Sequence, residues 1–172
     1  FSDYARLKIV FDYGGIYLDT DVELLKSLDH LLDNKCYIGI QQAQSLCQTG
    51  FDFGAEKNSY IVEKMLEKYS NIEFDVDKKL ELACPILNSE AISSIGTWNI
   101  DNVNYWDEIT IYPSKYFDPY GGKNLLCKDT ISIHHYSASW TSGRQRFKRR
   151  LARLIGTGNV TNIKSKLKNL SN

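Results

Sequence analysis

Apolar residues first recur at helical spacing, where Tyr4, Leu7, Val10 and Phe11 follow Ser2, a good N-cap type, and precede Gly14, which can close a helix in the left-handed conformation. This pattern predicts a helix over residues 3–13. From Ile16 to Val22 the residues become β-branched and aromatic and run into Asp19 and Asp21, which places two carboxylates at the end of a strand. Cys36 to Ile40 reads as a second short buried strand, and Gln41 to Gly54 as a polar, glycine-containing loop able to line a site. Asn58 is placed to cap a helix whose Ile61, Met65, Leu66 and Tyr69 share one face, so Met65 belongs to a core. Ala83-Cys84-Pro85 breaks the chain, Asn88 or Ser89 can cap a helix to about Ile95, and strands follow over 109–112 and 131–136. Helices alternating with strands imply an α/β fold with a mainly parallel sheet, in which ligands collect at the carboxyl ends of the strands.

Composition changes this picture mainly at the carboxyl end. A 172-residue chain with 42% hydrophobic and 12% aromatic residues can bury one core. Its zero net charge conceals a division, because nine of the 21 Lys and Arg follow the last acidic residue, Asp129. The body is acidic and the tail basic. From Arg144 to Ile155 the cations interleave with Phe147, Leu151 and Leu154, predicting an amphipathic helix, and the chain divides into a core over 1–143 and a basic tail over 144–172. Such a tail is either a solvated helix or a peripheral contact with an anionic membrane surface. Nucleic acid is not the expected partner, since the body is acidic and no nucleic-acid motif is present. Cys36, Cys47, Cys84 and Cys127 are scattered without Cys-x-x-Cys spacing, which fits a reducing cytoplasmic setting. No run of about 18 apolar residues occurs.

The chemistry-bearing candidates gather at two places. Asp19 and Asp21, two apart, can face one side of a strand, and neighbouring carboxylates repel unless a cation lies between them. A hard divalent ion, Mn²⁺ or Mg²⁺, suits such oxygen ligands. Asp3 and Arg6 lie one turn apart on the preceding helix, either as a surface ion pair or as ligands for sugar hydroxyls. Near the other end, His134-His135-Tyr136-Ser137-Ala138-Ser139-Trp140 offers a metal-binding imidazole, and adjacent strand residues point to opposite faces, so one histidine alone can reach a metal. Spacing from Trp140 favours His135, with His134 as the alternative.

Taken together and in order, Ser2-Asp3-x-x-Arg6, Gly14-Gly15-Ile16-Tyr17-Leu18-Asp19-Thr20-Asp21 and His134-His135-Tyr136-x-x-Ser139-Trp140 resemble the DXD-containing, sugar-binding glycosyltransferases of family 32. Gly54-Ala55-Glu56-Lys57 and Pro85 with Asn88-Ser89 add to the likeness. The resemblance implies a GT-A type nucleotide-sugar-binding domain and retaining transfer from a UDP-sugar, or from GDP-mannose, to a glycan or lipid-linked acceptor in surface polysaccharide synthesis. It implies donor contacts from Asp3, Arg6, Gly15, Tyr17, Asp19, Ser139 and Trp140, and metal ligation by Asp21, Asp19 and His135. Catalysis would rest on Asp19 and Asp21. Family members usually carry further strands before Ser2, so a front segment is expected to be missing here. A domain that binds a nucleotide sugar without turnover, and a metal-dependent phosphotransferase, are the competing readings.

Overall fold

A computed structural model describes residues 2–70 and 83–136. Contacts divide the chain after His135, and every described helix and strand belongs to the first unit. Helix α1 spans Ser2–Tyr13 and buries Arg6, Leu7 and Val10. Gly14 ends it as its pattern predicts: φ is +71°, and its amide donates to Val10 O at 2.8 Å. Strand β1 (Gly15–Tyr17) follows, then β2 (Val22–Leu24), β3 (Cys36–Ile40), β4 (Cys47–Ala55), helices α2 (Tyr60–Glu67) and α3 (Cys84–Ser93), strands β5 (Asn104–Tyr105) and β6 (Thr110–Tyr112), the short α4 (Ser114–Phe117) and β7 (Ser132–His134).

Five strands form one sheet in the order β1-β4-β3-β6-β5, while β2 and β7 form a separate pair. The described sheet is not mainly parallel, contrary to the expectation from alternation. Only β3 and β6 run parallel; β1–β4, β3–β4 and β5–β6 are antiparallel. The reason is the short turn after β3. Gln41 N donates to Leu46 O at 2.8 Å, Ser45 adopts φ +57°, and the chain returns at once as β4. The segment 41–54, read as a loop, is therefore a turn followed by the longest described strand, and a hairpin connection requires antiparallel neighbours.

Strand β3 is buried along its whole length, as expected of a central strand covered on both faces. Its residues alternate between two layers. Ile38 and Ile40 join Leu7, Val10, Phe53, Ile61, Val62, Met65 and Ile92 in the core beneath α1, α2 and α3. Tyr37 packs instead with Tyr112 and Phe117, ring centroids 6.3 and 6.1 Å away. Each fully buried large side chain contributes roughly 1.5–3 kcal/mol through removal from water. Met65 is core, in agreement with its helical spacing.

Two expected caps take other roles. Asn58 lies at φ +61° and donates its amide to Phe11 O at 2.8 Å, leaving Ser59 as the residue before α2. Asn88 and Ser89 sit inside α3, which begins earlier because Pro85 is tolerated in the first turn, where its missing N–H costs nothing. Both are buried against β4. Ser89 Oγ accepts from Cys47 N at 2.8 Å, and Asn88 Nδ2 donates to Thr49 Oγ1 at 3.3 Å. These bonds support a break in the ladder: Ile38 pairs with Phe53 but Gly39 pairs with Gln48, so Thr49 to Asp52 bulge out of register with β3. Buried backbone leaving a ladder needs other partners: Gly50 O accepts from Asp19 N, while α3 anchors the strand at Cys47 and Thr49.

Candidate functional site

The bulge forms the floor on which the motif residues converge. Asp19 and Asp21 lie in the link between β1 and β2 rather than within one strand, since β1 ends at Tyr17 and β2 begins at Val22. Backbone bonds fix this link: Asp19 N donates to Gly50 O at 3.2 Å, Val22 N to Asp19 O at 3.1 Å, and His135 N to Asp21 O at 2.9 Å. The two carboxylates therefore face the bulge on one side and β7 on the other.

On the α1 side, Arg6 is buried to 8% exposure and meets Asp3 Oδ1 at 3.1 Å and Asp19 Oδ1 at 3.5 Å through Nη2. Its guanidinium lies 4.7 Å from the centre of the Tyr17 ring, and Tyr17 donates its hydroxyl to Asp19 Oδ1 at 2.9 Å. Burial, followed by this bond, raises the Tyr17 pKa above the ordinary phenol range, so Tyr17 remains a donor. A buried guanidinium held by two carboxylates and an aromatic face is a fixed hydrogen-bonding group, because breaking such a pair leaves an uncompensated charge. Gly15 supplies backbone: at φ +112° it opens β1 opposite Ala55.

On the β7 side, the structure exchanges the two histidines relative to the spacing argument. His134 Nε2 lies 3.1 Å from Asp21 Oδ1 and 3.9 Å from Asp19 Oδ2, with its ring 5.1 Å from Phe51. His135 turns outward to Glu23 at 2.8 Å, both side chains more than half exposed. The β2–β7 register explains the choice: Val22 pairs with His134, next to Asp21, and the following residue must point to the opposite face. One ligand atom from each of Asp19, Asp21 and His134 lies within 4.8 Å of the others. Two carboxylate oxygens and one imidazole nitrogen suit a divalent cation of intermediate softness.

Sequence reasoning missed Gln48, Gly50 and Phe51, all on β4. A methyl group at Gly50 would lie 2.7 Å from Asp19 Oδ2, 2.9 Å from Arg6 Nη1 and 3.1 Å from Gln48 Nε2. The three polar groups thus close on Gly50 more tightly than a side chain there would allow. The signal was available in the alternation of Cys47, Thr49, Phe51 and Phe53, all fully buried, with polar or glycine residues between them. Ser139 and Trp140 lie outside the described residues, as does the basic tail. Among the described residues no helix is long and apolar enough to cross a membrane.

Residues 1–38 match the family described as glycosyltransferase sugar-binding region containing DXD motif. The match spans Asp3, Arg6, Asp19 and Asp21, bears out the resemblance over that segment, and supports a glycosyltransferase. No curated protein and no solved structure matches the chain.

Proposed function

We propose that this chain carries the catalytic site of a divalent-metal-dependent glycosyltransferase that takes a nucleotide sugar as donor. One observation carries the reading: Asp19 is shared between two groups of ligands, Arg6 with Asp3 on one side and Asp21 with His134 on the other. A donor has the same two-part chemistry, a polyhydroxylated ring joined to a diphosphate. Asp3 and Arg6 hold sugar hydroxyls, one as acceptor and one as fork-shaped donor. Asp19, Asp21 and His134 hold the cation, with His134 taking the place that spacing gave to His135. An imidazole among the ligands suits Mn²⁺ better than Mg²⁺. When bound, the ion supplies neutralisation of the charge that develops on the leaving diphosphate.

The protein's own contribution is orientation. Asp19 is tied by Tyr17, Arg6 and the Gly50 carbonyl, so little reorganisation accompanies charge development beside it. UDP-sugar is the favoured donor and GDP-mannose the alternative; retention of configuration, a glycan or lipid-linked acceptor, closure by Ser139 and Trp140, and a cytoplasmic protein whose tail touches the membrane complete the proposal.

The test is release of free sugar from UDP-hexoses and GDP-mannose, with and without Mn²⁺, by the wild-type chain and Asp21→Asn. One donor should be hydrolysed only with metal, and Asp21→Asn should lower the rate by more than about 100-fold, because a direct ligand matters more than the outer groups whose loss costs that much. Its melting temperature should stay near wild type. Wild-type turnover by Asp21→Asn, or release of phosphate from non-sugar substrates instead, would overturn the reading.

A further inference from the structure

We infer that a hollow on the outer face of α3 is a second carbohydrate site, an acceptor subsite for a neutral oligosaccharide; the acceptor role rests on the glycosyltransferase function proposed above. The hollow has a volume of about 630 Å³ and shares no residue with the Asp19, Asp21 and His134 cluster. That size falls among small-ligand pockets, which run from about 300 to 1,000 Å³. Its base is one stripe of α3, formed by Ile86, Ser89, Glu90 and Ser93, whose spacing of three and four residues puts them on a single helix face. Lys68 at the end of α2, Leu46 just before β4 and Trp98 beyond α3 complete the wall.

A sugar ring has C–H faces and hydroxyl edges, and the hollow offers surface for both. Trp98, Leu46 and Ile86 supply apolar contact. Lys68 Nζ lies 3.8 Å from Glu90 Oε2, too far for a hydrogen bond, so the pair holds a donor head and an acceptor head side by side. Their opposite charges offset one another, which suits hydroxyls better than a phosphate or a uronate. Ser89 Oγ accepts from Cys47 N at 2.8 Å and keeps its own O–H, while Ser94 Oγ donates to Ala91 O at 2.6 Å and keeps its lone pairs. The hollow also lies close to the donor site. Ser89 holds the Cys47 amide, and Gly50, whose carbonyl holds Asp19 N, is three residues along the same strand. Three extended residues span at most about 11 Å, a distance that a short oligosaccharide covers.

The experiment measures binding of the chain to an array of neutral gluco-, galacto- and manno-oligosaccharides beside uronate-containing ones. Trp98 packs on the core, so its replacement would report stability as well as binding, and the exposed Glu90 and Ser93 are changed instead. Wild type should bind a neutral oligosaccharide in preference to the anionic ones. Glu90→Ala should weaken that binding about tenfold, the scale of one hydrogen bond to a charged group, and raise the KM for the same oligosaccharide as acceptor by a similar factor. Ser93→Trp, which fills the hollow, should abolish binding, with the melting temperatures of both variants near wild type. Preference for anionic glycans, binding that survives Ser93→Trp, or no binding of any neutral oligosaccharide by a chain that hydrolyses its donor overturns this inference alone. A chain that binds a neutral oligosaccharide in the hollow but releases no sugar from any donor overturns the proposed function, and the acceptor role with it.

Discussion

Within four residues of β4 the chain serves two carboxylates in different ways. Gly50 gives its carbonyl to the Asp19 amide and, having no side chain, lets the Asp19 carboxylate approach closely; that side chain is 27% exposed and within reach of a guanidinium and an imidazole. Asp52, two positions later, is fully buried and takes a hydrogen bond from the Tyr37 hydroxyl at 2.5 Å. Burial pushes its pKa from 3.8 up to about 6, with the bond from Tyr37 acting against the rise. Surroundings thus separate roles that composition cannot: a partly exposed carboxylate beside a guanidinium and an imidazole can meet a ligand, while one enclosed with a phenol ties strands together and keeps its proton to higher pH.

Crowding the Asp19 side should have the larger effect. Gly50→Ala places a methyl group against Asp19, Arg6 and Gln48 at distances shorter than ordinary packing allows. Overpacking of this kind costs about 1–3 kcal/mol of stability, so the urea unfolding midpoint is expected to fall below that of wild type. An unchanged midpoint would show that the groups around Gly50 yield without cost.

The enclosed side should show itself in pH dependence. The folded pKa of Asp52 lies above its unfolded value, so the folded chain binds more protons between about pH 4 and pH 6, and stability falls as pH rises through that window. Asp52→Asn keeps an oxygen for Tyr37 and removes the titration. Urea unfolding should therefore show the variant gaining on wild type by about 2 kcal/mol between pH 4 and pH 7. Parallel pH profiles for the two proteins would assign Asp52 no such role.

Much of this arrangement was legible locally. Helix α1, its Gly14 terminus and the buried β3 follow from spacing of a few residues, and the two aspartates with Asp3 and Arg6 could be named from the same short stretch. What was not legible depends on pairing. In β4 the positions Gln48, Gly50 and Asp52 carry polar or absent side chains, Gly50 and Gln48 lying beside Asp19 and Arg6 and Asp52 against Tyr37, and this disguised the strand as a loop. With β4 hidden, the hairpin to β3 disappeared and the remaining alternation pointed to a parallel sheet. Asn88 and Ser89 looked like caps because their type usually is; here they bond the Thr49 hydroxyl and the Cys47 amide of β4. The choice between His134 and His135 needed the β2–β7 register, which neither strand contains alone.

That choice also provides the most direct test of the central claim, that Asp19, Asp21 and His134 form a cation site. Titration calorimetry with Mn²⁺ at saturating UDP should show one ion bound by wild type, the same affinity within about twofold for His135→Ala, whose exposed contact with Glu23 is worth little, and at least about tenfold weaker binding for His134→Ala. Undiminished Mn²⁺ binding by His134→Ala, or loss in His135→Ala instead, would contradict the site.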